Sequence, residues 1–243
     1  MAEFQFPTEE IALPSRGLLY PSTNPLSSGK IEMRYLSAAS EDILTNQSYI
    51  QKGTVLDKLL TSLIVDRDIK VKDLIVGDKN ALLVAARILG YGKEYSFIHK
   101  GEEQTVDLSL LENKPFDESL IIKEGTNEFT FTLPSSGTNL TFKILNGEDE
   151  SNIDRELEGL KKINKDASPD MSTRLKYLIT SVNGASDKKD IREFVDKYML
   201  AKDARELRQY IKKVQPDVDM TFTLESGVEA TVPVTLNFFW PES

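Results

Sequence analysis

The chain has 243 residues, with 39 Asp or Glu against 30 Lys or Arg, a formal net charge of -9, no cysteine and one histidine, His99. Without cysteine there is no disulfide, thiolate nucleophile, iron–sulfur cluster or cysteine zinc site, and one histidine rules out a histidine-rich metal centre. The acidic balance opposes a phosphate backbone, so no nucleic-acid partner is expected, while 40% hydrophobic and 28% charged residues describe an ordinary folded protein.

In chain order, residues 1–35 contain Pro7, Pro14, Pro21 and Pro25 with Gly17 and Gly29, and show no helical period. Proline fixes φ and biases the preceding residue toward extended backbone, which predicts a Pro-rich extended N-terminal arm with a short strand at 30–36. Phe4, Phe6, Ile11, Leu13, Leu18, Leu19 and Tyr20 are too many large apolar side chains to leave in water. They pack on the chain itself or on a neighbour. The first residues have neither the basic start nor the apolar run of a secretory signal, and no apolar stretch approaches the roughly 18 residues of a membrane span. The expectation is a protein made in a reducing cytoplasm, with no membrane partner.

Ser40 with Glu41 and Asp42 predicts a helix start, and Gly53 its end; Thr54 and Asp57 form a variant capping box for a second helix carrying Leu56, Leu59, Leu60, Leu63 and Ile64. A third helix follows Gly77-Asp78, buries Leu82, Leu83 and Ala86, and stops at Gly90-Tyr-Gly92. Residues 91–122 are weakly patterned. Phe129, Phe131 and Leu133, then Leu140, Phe142 and Ile144, alternate on either side of Pro134-Ser-Ser-Gly137 and predict a β-hairpin.

Helix returns over 148–214. Ser151 caps a charged helix through Ile163, Ser168-Pro169-Asp170 starts one with Leu175, Leu178, Ile179 and Val182 on its apolar face, and Ser186-Asp187 starts another. The stretch 202–214 turns Leu207, Tyr210 and Ile211 inward. After Pro216, residues 220–224 and 231–236 predict a second β unit, free to pair or stack with the first hairpin. The class is α+β: helical units interleaved with two β-hairpin regions behind the arm, divided as 1–35, 36–147 and 148–243.

Chemical motifs are scarce. His99 has no serine in a Gly-x-Ser-x-Gly elbow to serve, Ser27-Ser-Gly-Lys30 lacks the first glycine and final hydroxyl of a phosphate loop, and Gly90-Tyr-Gly92 follows a helix where a dinucleotide loop follows a strand. The acidic groups Asp66, Asp68 and Asp73, and Glu148, Asp149, Glu150 and Asp154, lack the ligand ladder of a calcium loop. No catalysis, cofactor or metal is expected. Phe238-Phe239-Trp240 would place aromatics on both sides of any strand, so at least one is expected to meet another element or another chain.

Three stretches together carry a resemblance: Leu13-Pro-Ser-Arg-Gly17-Leu-Leu-Tyr-Pro21 leading to Gly29-Lys-Ile-Glu-Met-Arg34; Asp42-Ile-Leu-Thr-Asn46 with Gly77-Asp78 and Gly90-Tyr-Gly-Lys-Glu-Tyr95; and Phe238-Phe-Trp-Pro241. The chain resembles the baseplate hub and hub-assembly proteins of T-even-type contractile-tailed bacteriophages, most densely over residues 13–95. It departs from them in lacking the Cys-x-x-Cys knuckles that such proteins often carry in their β regions. The resemblance implies a non-enzymatic virion structural or morphogenetic protein of the tail baseplate, assembled in the host cytoplasm. Its implied partners are other hub or tail-tube-initiating proteins and the tape-measure protein, with self-association among its contacts. The alternatives are a transient assembly chaperone for the tape-measure or hub proteins and, behind it, a hub-associated wall-degrading hydrolase. The partner contacts are expected at Phe4, Phe6, Leu13, Leu18, Leu19 and Tyr20 of the arm and at Phe238, Phe239 and Trp240.

Overall fold

Antiparallel pairing turns the arm back on the body of the protein. In the computed structural model, which describes residues 6–163, 169–224, 227 and 229–239, β1 (Thr8–Ala12) pairs with β2 (Lys30–Arg34), with Ile11 opposite Ile31. The strand expected at 30–36 is therefore present, and its partner is the arm's own beginning. Alternation along β2 buries Ile31 and Met33 while Lys30 and Glu32 face water.

Residues 13–29 form an excursion between the two strands, closed by the Leu13 N–H donating to Gly29 O at 2.8 Å. Gly17 and Gly29 both have left-handed backbone, with φ of 78° and 73°, and their main chains lie against each other. A Cβ on Gly29 would sit 2.6 Å from Arg16 O, so only glycine fits.

The first predicted helix is two. Ser37, not Ser40, caps α1 (Ala38–Leu44), and Asn46 accepts the Tyr49 N–H to start α2 (Gln47–Gln51). Ser40 instead occupies the third position, where its hydroxyl accepts the Ser37 N–H at 3.1 Å. Helix α3 (Val55–Leu63) buries Leu59, Leu60 and Leu63 as expected. Helix α4 (Val76–Tyr91) is buried on more than one side, including Leu82, Leu83, Val84, Ala85, Ala86 and Arg87. It is a central helix and not an amphipathic surface one. Gly77 and Asp78 lie inside its first turn.

The weakly patterned stretch holds a hairpin, β3 (Glu94–His99) with β4 (Glu102–Asp107), turned at Lys100-Gly101 with φ of 52° and 89°. The hairpin at 128–145 forms as expected from β5 (Phe129–Thr132) and β6 (Asn139–Phe142), and gains a third strand, β7 (Ile179–Val182). Helix α6 (Asp170–Leu178) thus ends where β7 begins, and Ile179 and Val182 belong to a strand. Their branched side chains suit a pleated surface, and Asn183-Gly184 turns the chain after them.

Helix α5 (Gly147–Ile163) begins before Ser151: Asn146 accepts the Asp149 N–H while Asp149 accepts the Asn146 N–H. Asp187 caps α7 (Lys188–Glu193), which runs into a wider π-type turn, Phe194–Tyr198. Helix α8 (Ala201–Val214) buries Leu207, Ile211 and Val214. The second β unit is short, β8 (Thr221–Thr223) with β9 (Glu229–Thr231), and stays a separate sheet from β5–β6–β7. Residues 232–236 are not a strand; a 3-10 turn, Leu236–Phe239, follows.

The three stretches divided at 35 and 147 share one apolar cluster, which runs from Leu13 through Leu82 and Phe142 to Phe239. Backbone pairs knit it. Val76 N–H donates to Leu145 O, Gly147 N–H to Leu74 O, Lys114 N–H to Asp217 O and Gly125 N–H to Leu18 O. The class is α+β.

Candidate functional site

The expected contact residues fall into three groups. Leu13, Leu19 and Tyr20 of the arm, and Phe238 and Phe239, are at most 5% exposed and lie within the chain's own core. As docking contacts they are corrected to core residues. The excursion 13–29 closes over α4, and a 3-10 turn, with successive side chains about 120° apart, lets Phe238 and Phe239 both face inward where a strand would part them. Leu18 is partly buried and Phe6 is half exposed. Phe4 and Trp240 lie outside the described residues.

Asp78 holds the arm in place. Its carboxylate, fully buried at the start of α4, accepts the Ser15 N–H at 2.9 Å, the Ser15 hydroxyl at 2.7 Å and the Tyr20 hydroxyl at 2.7 Å. Tyr20 in turn accepts the Ile75 N–H at 3.0 Å. Burial raises the Asp78 pKa above the usual carboxylate range, outweighing the donors from Ser15 and Tyr20 that favour its charge; burial and the neighbouring Asp78 raise Tyr20. Beside Asp78, the Gly77 backbone lies against Pro216 so closely that a Cβ would overlap it. Two of the motif segments therefore meet at one carboxylate, Ser15 to Tyr20 and Gly77-Asp78, while Gly29 packs on Arg16 within the first of them. This is a structural clamp, with both oxygens of the carboxylate accepting hydrogen bonds inside the protein.

Arg87 serves the Gly90-to-Tyr95 part of the second motif stretch. Its guanidinium donates to Gly92 O at 2.9 Å and Glu94 O at 3.1 Å and lies over the rings of Tyr91 and Tyr95. It joins the end of α4 to β3. Tyr95 then meets Phe238 edge to face, at 4.9 Å between ring centres. His99 ends β3, and its buried Nε2 has no hydrogen-bond partner among the described residues.

What remains on the surface is suited to contact. A groove of about 270 Å³ at the N-terminal end of the described chain is lined by Phe6, Arg34, Tyr35, Ile43, Ser62 and Leu63. Ile98 within β3 and Leu110 just after β4 are 64% and 71% exposed. Among the described residues no group of three His, Cys, Asp or Glu could hold a metal ion, and no helix is long and apolar enough to cross a membrane.

No family model matches this chain, and neither the curated proteins nor the solved structures contain a significant match.

Proposed function

We propose that this chain is a structural or assembly subunit of the central hub of a contractile-tail phage baseplate, acting through protein contacts and not through catalysis. The observation that carries this reading is the convergence of the resembling motifs on Asp78. Segments about 60 residues apart in the chain carry the resemblance and meet in one clamp, so the residues on which the resemblance rests are among those that build the fold. The contacts proposed for partners shift accordingly. Leu13, Leu19, Tyr20, Phe238 and Phe239 shape the body, while the groove at Phe6 offers apolar surface to a hub, tube-initiating or tape-measure protein.

Quantitative mass spectrometry of purified tails and of their assembly intermediates tests this. A fixed copy number in finished tails supports a structural subunit. Presence in intermediates alone shifts the reading to a transient chaperone, and absence from both overturns it.

A further inference from the structure

We propose that the outer face of α8, with the cleft beside it, docks an acidic amphipathic segment of a partner protein. This inference is independent of the phage reading, because it rests on the placement of charge and of an apolar cleft beside it.

Helix α8 carries Lys202, Arg205, Arg208, Lys212 and Lys213 in a chain whose net charge is -9. At about 100° and 1.5 Å per residue, Arg205, Arg208 and Lys212 fall within roughly 60° of one another, and the five cations extend over about 16 Å. The acids on the helix do little to offset them. Asp203 is buried and accepts the Ser135 and Ser136 N–H groups at 2.8 and 3.0 Å, leaving Glu206 at the edge of the face.

Three cations of α6 and α7 are engaged within the chain. Arg174 pairs with Glu150, Lys176 with Asp196 and Arg192 with Glu156, at 2.6 to 2.8 Å. None of the five on α8 has an ion pair, hydrogen bond or ring partner among the described residues. No described acid takes up their charge.

The cleft supplies the second half of the recognition. It holds about 220 Å³ between Leu178 and Ile211, with Lys114, Arg208 and Lys212 among its lining residues. Asp217, also at the cleft, is occupied by Asn80 at 3.0 Å and stands 3.9 Å from Lys114. An apolar wall beside unpaired cations fits a segment that inserts one apolar side chain and sets carboxylates on either side. A nucleic-acid strand fits less well: the phosphate backbone has no use for the apolar wall, and the acidic remainder of the chain repels an extended polyanion.

The test is fluorescence anisotropy with a labelled 15-residue peptide of Glu with Leu at every fourth position. Its comparators are the same peptide with Gln for Glu, the same peptide with Ala for Leu, and a 15-nucleotide oligothymidylate. The Glu/Leu peptide should bind best and weaken as salt rises. Arg205→Glu with Arg208→Glu and Lys212→Glu should weaken it by about tenfold or more. Lys52→Glu with Lys161→Glu and Lys162→Glu, an equal change of net charge elsewhere, should leave it within about twofold. Circular dichroism confirms folding, and Gln at the same three α8 positions gives the readout if the Glu variant does not fold. Absence of binding to the parent protein, equal weakening by both triple variants, or tighter binding of oligothymidylate than of the peptide would each overturn the proposal.

Discussion

The Tyr20 hydroxyl donates to Asp78 at 2.7 Å and accepts the Ile75 N–H at 3.0 Å, so a single phenol ties a proline-rich segment to the start of α4 across 58 residues. Removing the hydroxyl leaves a buried N–H and a buried carboxylate each short of a partner. Tyr20→Phe should cost about 1–3 kcal/mol in urea unfolding, and Asp78→Ala, which strands the Ser15 and Tyr20 donors together, should cost more. An unchanged midpoint for both would remove the clamp from the account of stability.

Truncation should be severe for the same reason. Deleting residues 1–20 removes the buried side chains of Leu13, Leu19 and Tyr20, each contributing about 1.5–3 kcal/mol by burial, and leaves Asp78 without its Ser15 and Tyr20 donors. The product should lack a cooperative thermal transition by circular dichroism. A folded product would show that the excursion is dispensable to the core.

Two glycines in helices should respond to alanine with opposite sign. Gly159 in α5 has open space where a Cβ would go, so Gly159→Ala should stabilise by about 0.5–1 kcal/mol. Gly77 in α4 abuts the Pro216 backbone, and overlap there should outweigh the same helical preference, destabilising Gly77→Ala by about 1–3 kcal/mol. Thermal melts of the two variants beside the parent decide it; shifts in the same direction would contradict the packing at Pro216.

Acid should weaken the α5–α7 contact. Hydrogen bonds from Arg192, aided by Tyr177, hold the Glu156 carboxyl below its usual pKa against the cost of burial. A carboxyl whose native pKa is depressed contributes stability that is complete above its unfolded value and is lost as pH falls. Parent protein should therefore lose more stability than Glu156→Gln between about pH 5 and pH 3. Asp78, raised by burial, acts in the other direction: its contribution is complete below the unfolded value and declines as pH rises through the native one. Parallel pH profiles for parent and Glu156→Gln would show that Glu156 carries no linkage.

Sequence pattern revealed the elements whose signals are local. Helix α8 was legible because Leu207, Tyr210 and Ile211 recur at helical spacing, and β5 and β6 because aromatic and threonine residues alternate around a Pro-Ser-Ser-Gly turn. The β3–β4 hairpin was obscured because only Tyr95, Phe97 and Val106 face the core, each separated by polar residues from the next apolar anchor, although Lys100-Gly101 is a turn signal. Strand β7 was hidden by phase: Ile179 and Val182 continue the helical spacing of Leu175 and Leu178, and only pairing with β6 makes them a strand. The function of Asp78 was hidden by ambiguity, since Gly-Asp at a helix start reads as an ordinary first-turn acid. What distinguishes it is the arrival of Ser15 and Tyr20 from a segment about 60 residues away.

The edge-to-face contact of Phe238 with Tyr95 sets an order on biosynthesis. Translation produces Tyr95 long before the Phe238 that packs on it. Until Phe238 has cleared the ribosomal tunnel, its side of the Tyr95 ring lacks that covering. A chain terminated before Phe238 would therefore leave uncovered the ring face of Tyr95 that the folded chain packs against.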